Sequence, residues 1–445
     1  MATQLGPRLV IAGTHSGVGK TTVATGLMAA FARRARRVAS AKVGPDFIDP
    51  GYHALATGRP GRNLDAWMSG PAAIGPLAGR AAQGVDLLVV EGVMGMFDGA
   101  HDGTPSSTAD VARLLDAPIV LVVDASGLGQ SIAAMVQGFA AFDPRARVAG
   151  VICNRVGSPR HAEILRTALA SIDVALLGTL GRDDAFAWRD RHLGLVPVVE
   201  HPDVVRGALE RLARAVEHDC DLEAIARLAA AAPGVPVDEP VLPAPVAPVR
   251  VALAAGRAFS FMYQDNLEAL CAAGAELVPF DPCEDPQLPA DCRALVAGGG
   301  FPEVYASDLA DNRALLADVG RRIADGLVVW AECGGLLWLA RSLEGRPMAG
   351  VVPTDGRMTQ RLALGYRHAR ATGASPLGPP GLELRGHEFH YSSVSPPDAA
   401  LVNVDSTGPP ISSWARPDLL ASYLHLHLGA TPELATAFVR AAAAG

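Results

Sequence analysis

The sequence predicts two α/β domains, a doubly wound parallel sheet followed by a second α/β unit. Three observations carry that reading. Short continuous apolar runs alternate with helix-length amphipathic segments, one stretch between them is dense in proline, and the same alternation restarts beyond it. Continuous Val/Ile/Leu runs are what a parallel sheet covered on both faces requires, and interleaved helices make them βαβ units. A length of 445 residues suits two or three domains, each able to bury its own core.

In chain order, RLVIAG (from Arg8) reads as a strand and Thr21 to Arg33 as a helix. Further strands are DLLVVEG (from Asp86), PIVLVVD (from Pro118), VAGVICN (from Val148) and VALLGTL (from Val174). Helical patterning then runs from Asp203 to Ala230, closing a first domain at 1–232. Residues 233–248, PGVPVDEPVLPAPVAP, fix φ and remove donors too often for a helix or a central strand, so they read as the linker. In the second domain, 249–445, VRVALAAG, ALVAGGG and LVVWAECGG are strands and YQDNLEALCAAG is a helix. Beyond Gly350 shorter strand-like pieces follow, LALGYRHARA and LRGHEFHYSSV.

Composition excludes several functions. A formal charge of -8 gives no basic footprint, so neither nucleic acid nor an anionic membrane is an expected partner. The dense cluster Arg33, Arg34, Arg36 and Arg37 reads as the solvated end of a helix. No apolar run reaches membrane-spanning length and the first residues lack a signal-peptide pattern. Six cysteines without CxxC spacing point to the reducing cytoplasm.

After the first strand comes Gly13-Thr14-His15-Ser16-Gly17-Val18-Gly19-Lys20-Thr21-Thr22, leading into a helix. Glycines such as Gly17 and Gly19 let backbone N–H groups close around phosphate, and the helix start adds partial positive charge. Lys20 is the expected contact to the β/γ-phosphates, Thr21 to Mg²⁺, with Thr22 beside them. Thr14 stands where the strict GxxxxGK[ST] pattern has its first glycine, so the loop is a variant. Two acidic segments, KVGPDFIDPG with Asp46 and Asp49, and EGVMGMFDG with Glu91 and Asp98, can complete the site. Glu91 ends a strand, where ligands bind in open parallel sheets and carboxylates can hold Mg²⁺. Asn154, ending another strand, is a candidate for hydrogen-bonding a nucleotide base.

The second chemical feature is Cys333, on a tight turn between LVVWAE and a helix. Such a turn exposes the thiol and favours the thiolate. Gly298-Gly299-Gly300-Phe301 also ends a strand, so its N–H groups can form an oxyanion hole. The base must come from a distant histidine, and Tyr423-Leu424-His425-Leu426-His427 offers two that point to opposite strand faces. The other five cysteines read as inert core residues. The His387/His390 and His425/His427 pairs lack the acid or cysteine partners of a metal site.

Taken in order, GTHSGVGKTT, KVGPDFIDPGYH, EGVMGMFDG, GGGFPE, AECGG, RGHEFHYS and SYLHLHL resemble the cobyrinic and hydrogenobyrinic acid a,c-diamide synthases over nearly the whole chain. The N-terminal half is similar to dethiobiotin synthetase, the C-terminal half to class I glutamine amidotransferases. The resemblance implies that MgATP at Lys20 and Thr21 phosphorylates a peripheral corrin carboxylate and that ammonia displaces the phosphate. Ammonia comes from glutamine through a thioester at Cys333, and amidation proceeds at c, then a. It places Asp46 and Glu91 at Mg²⁺ and the reacting phosphates, and Asp49 and Asp98 nearer the activated carboxylate. It favours His425 as the base, with His427 the alternative. The residues two positions beyond these histidines are His427 and Gly429, so the usual acid of the triad is missing there. It also implies a corrin held as substrate, no protein-bound prosthetic group, and a homodimer. Rival readings are an amidotransferase of the same architecture acting on another tetrapyrrole, such as nickel sirohydrochlorin, and a partition-type or switch ATPase. His15 stands where the partition ATPases carry their signature lysine.

Overall fold

A computed structural model describes residues 3–100, 103–182, 190–191, 194–238, 242, 245–404 and 410–444. It divides into two compact units, Met1–Pro240 and Val241–Gly445. Among the described residues no helix is long and apolar enough to cross a membrane.

The first unit runs β1 (Thr3–Leu5), β2 (Arg8–Gly13), α1 (Lys20–Arg33), β3 (Val38–Val43), α2 (Asp49–Thr57), β4 (Arg62–Leu64), α3 (Pro71–Ala81), β5 (Leu87–Glu91) and α4 (Thr108–Leu114). It continues through β6 (Ile119–Asp124), α5 (Ser131–Phe142), β7 (Val148–Val156), α6 (Pro159–Ala170), β8 (Leu176–Gly181), the short strands β9 (Asp190–Arg191) and β10 (Gly194–Leu195), α7 (Pro202–Asp219), α8 (Leu222–Ala230) and β11 (Val235–Val237). Seven strands form one sheet, in the order β4-β3-β5-β2-β6-β7-β8, and every pairing in it is parallel. Both faces are covered, as the unbroken apolar runs require. Val10, Ala12, Leu88 and Val90 enter one core cluster; Leu9, Ile11, Leu87 and Val89 enter the other. The helical stretch expected over Asp203–Ala230 breaks at Asp221, whose side chain accepts the Ala224 N–H at 2.8 Å and starts α8.

Part of the proline-dense stretch belongs to this unit. Val235–Val237 pairs antiparallel with Thr3–Leu5 as a two-stranded edge, a place that tolerates Pro236. Residues 239–241 and 243–244 of the same stretch lie outside the described residues.

The second unit carries β12 (Val249–Ala254), α9 (Gln264–Ala272), β13 (Ala275–Phe280), β14 (Ala294–Ala297), α10 (Ala306–Asp311), α11 (Arg313–Ala324), β15 (Val328–Glu332) and α12 (Gly334–Leu339). Then come β16 (Ser342–Leu343), β17 (Arg346–Pro347), β18 (Asp355–Ala371), β19 (Glu383–Ser395), β20 (Leu401–Asn403), β21 (Ser413–Arg416), β22 (Leu419–Ser422), β23 (His425–Leu426) and α13 (Pro432–Ala444). A six-stranded sheet, β13-β12-β14-β15-β22-β21, is parallel except at its β22–β21 edge. The pieces beyond Gly350 are longer than their patterning suggests. They form a 17-residue and a 13-residue strand paired antiparallel, with a register shift between Met358 and Ala363 that breaks the alternation. β23 adds to that ladder with His387 opposite His425. Thus the segment from Ser422 to Leu426 runs from one sheet to the other.

Candidate active site

The phosphate loop lies between β2 and α1, at the carboxyl edge of the first sheet. Gly19 has φ 95° and meets Asn154 so closely that a Cβ there would sit 2.2 Å from Asn154 Nδ2. Only glycine accommodates both demands. Asn154 Nδ2 donates to the Val18 carbonyl at 2.9 Å, so the structure brings Asn154 to the loop backbone. Arg155 ties the same loop, donating to the Gly17 carbonyl at 3.0 Å while pairing with Asp124. Thr22 is half-buried on the first turn of α1.

Lys20 begins α1, and its Nζ donates to the His15 carbonyl at 3.2 Å, curled back over the loop. Burial, reinforced by Lys42, pushes this ammonium down to about 8, against the pull of Glu91, Asp49 and Asp98. Thr21 Oγ1 lies 2.7 Å from Glu91 Oε1 and 3.3 Å from Asp49 Oδ2. Its single hydroxyl proton serves the shorter contact.

Lys42, from β3, stands in the centre of this group. Its Nζ is 2.6 Å from Asp49 Oδ2, 2.8 Å from Glu91 Oε1 and 3.1 Å from the Gly92 carbonyl, which occupies all three ammonium hydrogens. His53 Nε2, on α2, meets the other Glu91 oxygen at 2.6 Å. Burial opposes the Lys42 charge, but Asp49 and Glu91 outweigh it and hold the ammonium. Burial likewise opposes the Glu91 charge, yet Lys42 and His53 keep its carboxyl well below the usual range. Asp49 goes the other way: burial, then the neighbouring Asp46, raise it against the pull of Lys42. Of the two carboxylates sharing Lys42, Glu91 therefore stays ionised and Asp49 takes up a proton first.

Asp46 and Asp98 are placed differently. Asp46 Oδ1 accepts the Ile48 and Asp49 N–H groups at 2.7 and 2.9 Å, closing the turn that leads into α2. The structure thus sets Asp49, rather than Asp46, against Thr21, although the Asp46 charge is felt at both Lys42 and Asp49. Asp98 is exposed and accepts the Gly95 N–H at 2.9 Å.

In the second unit, Cys333 occupies the strand-to-helix turn with φ 47° and ψ −95°, a conformation that costs about 1–3 kcal/mol in a non-glycine residue. Its N–H donates to the Ser422 carbonyl at 2.7 Å, strapping the turn to β22. His425 hydrogen-bonds with the Cys333 side chain and places Nδ1 3.2 Å from Glu332 Oε2. Burial works against a charged imidazole there, but Cys333 and Glu332 raise it to about 10.

Gly299 lines the same ring, and a Cβ on it would stand 2.6 Å from His425 Cε1. The glycine run is partly committed: the Gly299 and Phe301 N–H groups donate to Phe261 and Ala258 carbonyls, both at 3.1 Å. The Gly300 nitrogen lies beside the cysteine turn, 3.1 Å from where a Gly334 Cβ would be.

His427 turns the other way. Its Nε2 is 3.6 Å from Asp265 Oδ2, its ring lies 4.9 Å from that of Tyr263, and its Nδ1 accepts the Gly429 N–H at 3.3 Å. Alternation along a strand separates the two histidines, and the structure brings His425 to Cys333. His387 packs with its ring 5.1 Å from that of His425, and His390 stacks on Tyr423 at 3.7 Å. Among the described residues no group of three or more His, Cys, Asp or Glu side chains is arranged to hold a metal.

The remaining cysteines are not uniformly core. Burial pushes the Cys153 and Cys220 thiols up to about 12, as inert core residues require. Cys271 is exposed, because it falls outside the stripe Asp265, Asn266, Ala269 and Leu270 that α9 buries. Three residues built into these sites carried no assigned role in the sequence: Lys42, His53 and Glu332. Each lies inside a motif already singled out: Glu332 ends an apolar run read as a strand, whereas Lys42 and His53 fall in β3 and α2, which the patterning had not marked.

Comparison with known proteins agrees with this division. Residues 9–195 match the CobQ/CobB/MinD/ParA nucleotide binding domain, and residues 250–433 match the CobB/CobQ-like glutamine amidotransferase domain. The chain is 47% identical to the hydrogenobyrinate a,c-diamide synthase of Streptomyces coelicolor, with 97% of each chain covered. It is 45% identical to that of Thermobifida fusca, over 98% of this chain and 96% of the relative. With the cobyrinate a,c-diamide synthase of Gloeobacter violaceus it shares 45% identity, over 97% of this chain and 96% of the relative. Identity of this extent, spanning both units and both sites, means that the chain belongs to the hydrogenobyrinate and cobyrinate a,c-diamide synthase family of glutamine-dependent carbon–nitrogen ligases.

Proposed function

We propose that this enzyme amidates the a and c acetate carboxylates of hydrogenobyrinic or cobyrinic acid in cobalamin biosynthesis, using ATP and glutamine. The observation that carries this reading is that one chain holds both a Cys333–His425 pair and a phosphate loop whose Thr21 meets Glu91 at 2.7 Å. Each serves half of an amide synthesis.

A carboxylate resists ammonia because oxide is its leaving group. In the proposed first half, a carboxylate oxygen of the corrin attacks the γ-phosphorus of ATP, ADP leaves, and an acyl phosphate forms. Ammonia then attacks the acyl carbon and phosphate departs. Lys20 and the N–H groups around Gly17 and Gly19 bind the phosphates, Thr22 assists at the helix start, and Asp49 and Asp98 receive the reacting side chain. Asn154 holds the loop in shape from below, and its remaining hydrogen-bonding capacity is available to the nucleotide base.

The donors near Thr21 fit a magnesium ion: a hydroxyl and carboxylates, all hard oxygens, meet within 3.3 Å. Thr21, Glu91 and a carboxylate of the Asp46–Asp49 loop would hold it together with phosphate oxygens, and it would offset charge on the phosphates.

In the second half, Cys333 Sγ attacks the glutamine carboxamide after giving its proton to His425. The C–N bond breaks, the nitrogen leaves as ammonia with the proton from His425, and a thioester remains. Water, deprotonated by His425, hydrolyses it to glutamate and restores the thiol. The Gly300 and Gly334 N–H groups are suited to the developing oxyanion. The proposed location is the cytoplasm, where ATP and glutamine are supplied, and the proposed assembly is a homodimer, as the resemblance of the N-terminal half to dethiobiotin synthetase implies.

The test is to supply hydrogenobyrinic acid and cobyrinic acid in parallel with ATP and glutamine, and to compare kcat/KM while following the mass of the corrin. A product carrying two amides is expected from at least one of them. Failure of both, with glutamine still hydrolysed, would move the enzyme to another tetrapyrrole.

A further inference from the structure

We propose that Glu332, directly before the nucleophile, is the positioning acid of the glutaminase centre, holding the His425 ring for its work on Cys333. This rests on the reading of Cys333 and His425 as nucleophile and base.

The geometry comes from two adjacent residues gripping one segment. In the β15–β22 ladder Glu332 lies opposite Ser422, and the Cys333 N–H donates to the Ser422 carbonyl at 2.7 Å. Three residues beyond Ser422, His425 Nδ1 meets one Glu332 oxygen at 3.2 Å, and the next residue, Leu426, donates its N–H to the other at 3.0 Å. Both side chains are 2% exposed. With Nδ1 occupied by a carboxylate, the ring keeps its hydrogen there and leaves Nε2 for the thiol.

Gly299 presses on His425 Cε1, and His387 from β19 lies beside the ring. Burial, followed by the charges of His425 and His390, drives His387 well below the usual range, so it stays neutral. Cys333 and Glu332 are the groups that raise His425. An imidazolium formed when Cys333 loses its proton thus faces a carboxylate held by a backbone N–H. The position two residues beyond His425 carries His427, turned toward Asp265. The acid therefore reaches the ring from the strand that bears the nucleophile.

Glu332→Gln separates this role from a merely structural one, because the amide oxygen can still accept the Leu426 N–H while the negative charge is gone. Glutamine-dependent kcat is expected to fall about 100-fold or more, with the KM for glutamine and the ammonium-dependent synthesis unchanged. The pH profile of Cys333 alkylation by iodoacetamide is expected to move to higher pH. Parent-like glutamine-dependent kcat and alkylation profile would overturn the proposal, as would a parallel loss of ammonium-dependent activity. If the Gln variant does not fold, Glu332→Asp, which keeps the charge but withdraws it by one methylene, serves instead. It is expected to lose part of kcat, and an Asp variant with unchanged kcat overturns the proposal. Cys333→Ala, run alongside, separates the two levels: if it still uses glutamine, the nucleophile assignment fails, and Glu332 with it.

Discussion

Lys42 Nζ lies 2.8 Å from Glu91 Oε1, and both side chains are almost wholly removed from solvent. Asp49 at 2.6 Å and the Gly92 carbonyl complete the ammonium's shell. Removing one member of such a group leaves a buried charge uncompensated. Lys42→Met is therefore expected to lower stability by about 3–5 kcal/mol, read as a shift of the first unit's urea midpoint. A parent-like midpoint would show that the pair is solvated in solution.

The two chemistries are expected to separate by mutation. Cys333→Ala should abolish glutamine-dependent synthesis yet retain activity with high ammonium, since the phosphate-loop residues are untouched. Lys20→Ala should abolish both. Steady-state assays with each nitrogen source check this, and glutamine use by the Cys333 variant would remove that residue from the mechanism.

Gly299→Ala tests how tightly the base is held. The new methyl would stand 2.6 Å from His425 Cε1, so the ring must move. A displacement of about 1 Å costs roughly 100-fold in rate. Glutamine-dependent kcat is expected to fall by that order while ammonium-dependent synthesis persists.

The two neighbouring histidines should give opposite phenotypes. His425→Ala is expected to eliminate glutamine hydrolysis. His427→Ala loses the contacts to Asp265 and Tyr263 and should cost about 1–3 kcal/mol of stability while leaving much of kcat for glutamine. Thermal melts paired with glutaminase assays distinguish them.

His425 also predicts a pH dependence of stability. Its ordinary value is 6.5 and the fold raises it to about 10, so between these values the folded chain binds more protons than the unfolded one. Stability from this group is complete below pH 6.5 and declines as pH rises toward 10. Melting temperatures measured over that range should fall with pH, and this component should be missing in His425→Ala.

Much of both sites was legible in the chain. Gly17, Gly19, Lys20 and Thr21 announce themselves because phosphate binding depends on a contiguous stretch of backbone. Cys333 does so because a strand, a turn and a helix bracket it. The covered parallel sheet was equally readable from unbroken apolar runs. What escaped were contacts made across elements. Asp46 and Asp49 look alike in KVGPDFIDPG, but one carboxylate closes the turn before α2 through Oδ1 while the other turns to Lys42 and Thr21. Lys42 and His53 stand in the KVGPDFIDPGYH motif without a role until the fold places Glu91 between them.

Cys333 and the histidine pair show the same boundary. The sequence by itself determined a candidate nucleophile, the glycine run and two alternative candidate bases, since these depend on local spacing and on strand alternation. Only the tertiary structure decided that His425 faces Cys333, that His427 belongs to Asp265, and that an acid reaches the ring from Glu332. The physical reason is that a hydrogen bond between residues 93 apart depends on the β15–β22 register. That register is set by packing over the whole sheet and leaves no trace in the residues on either side.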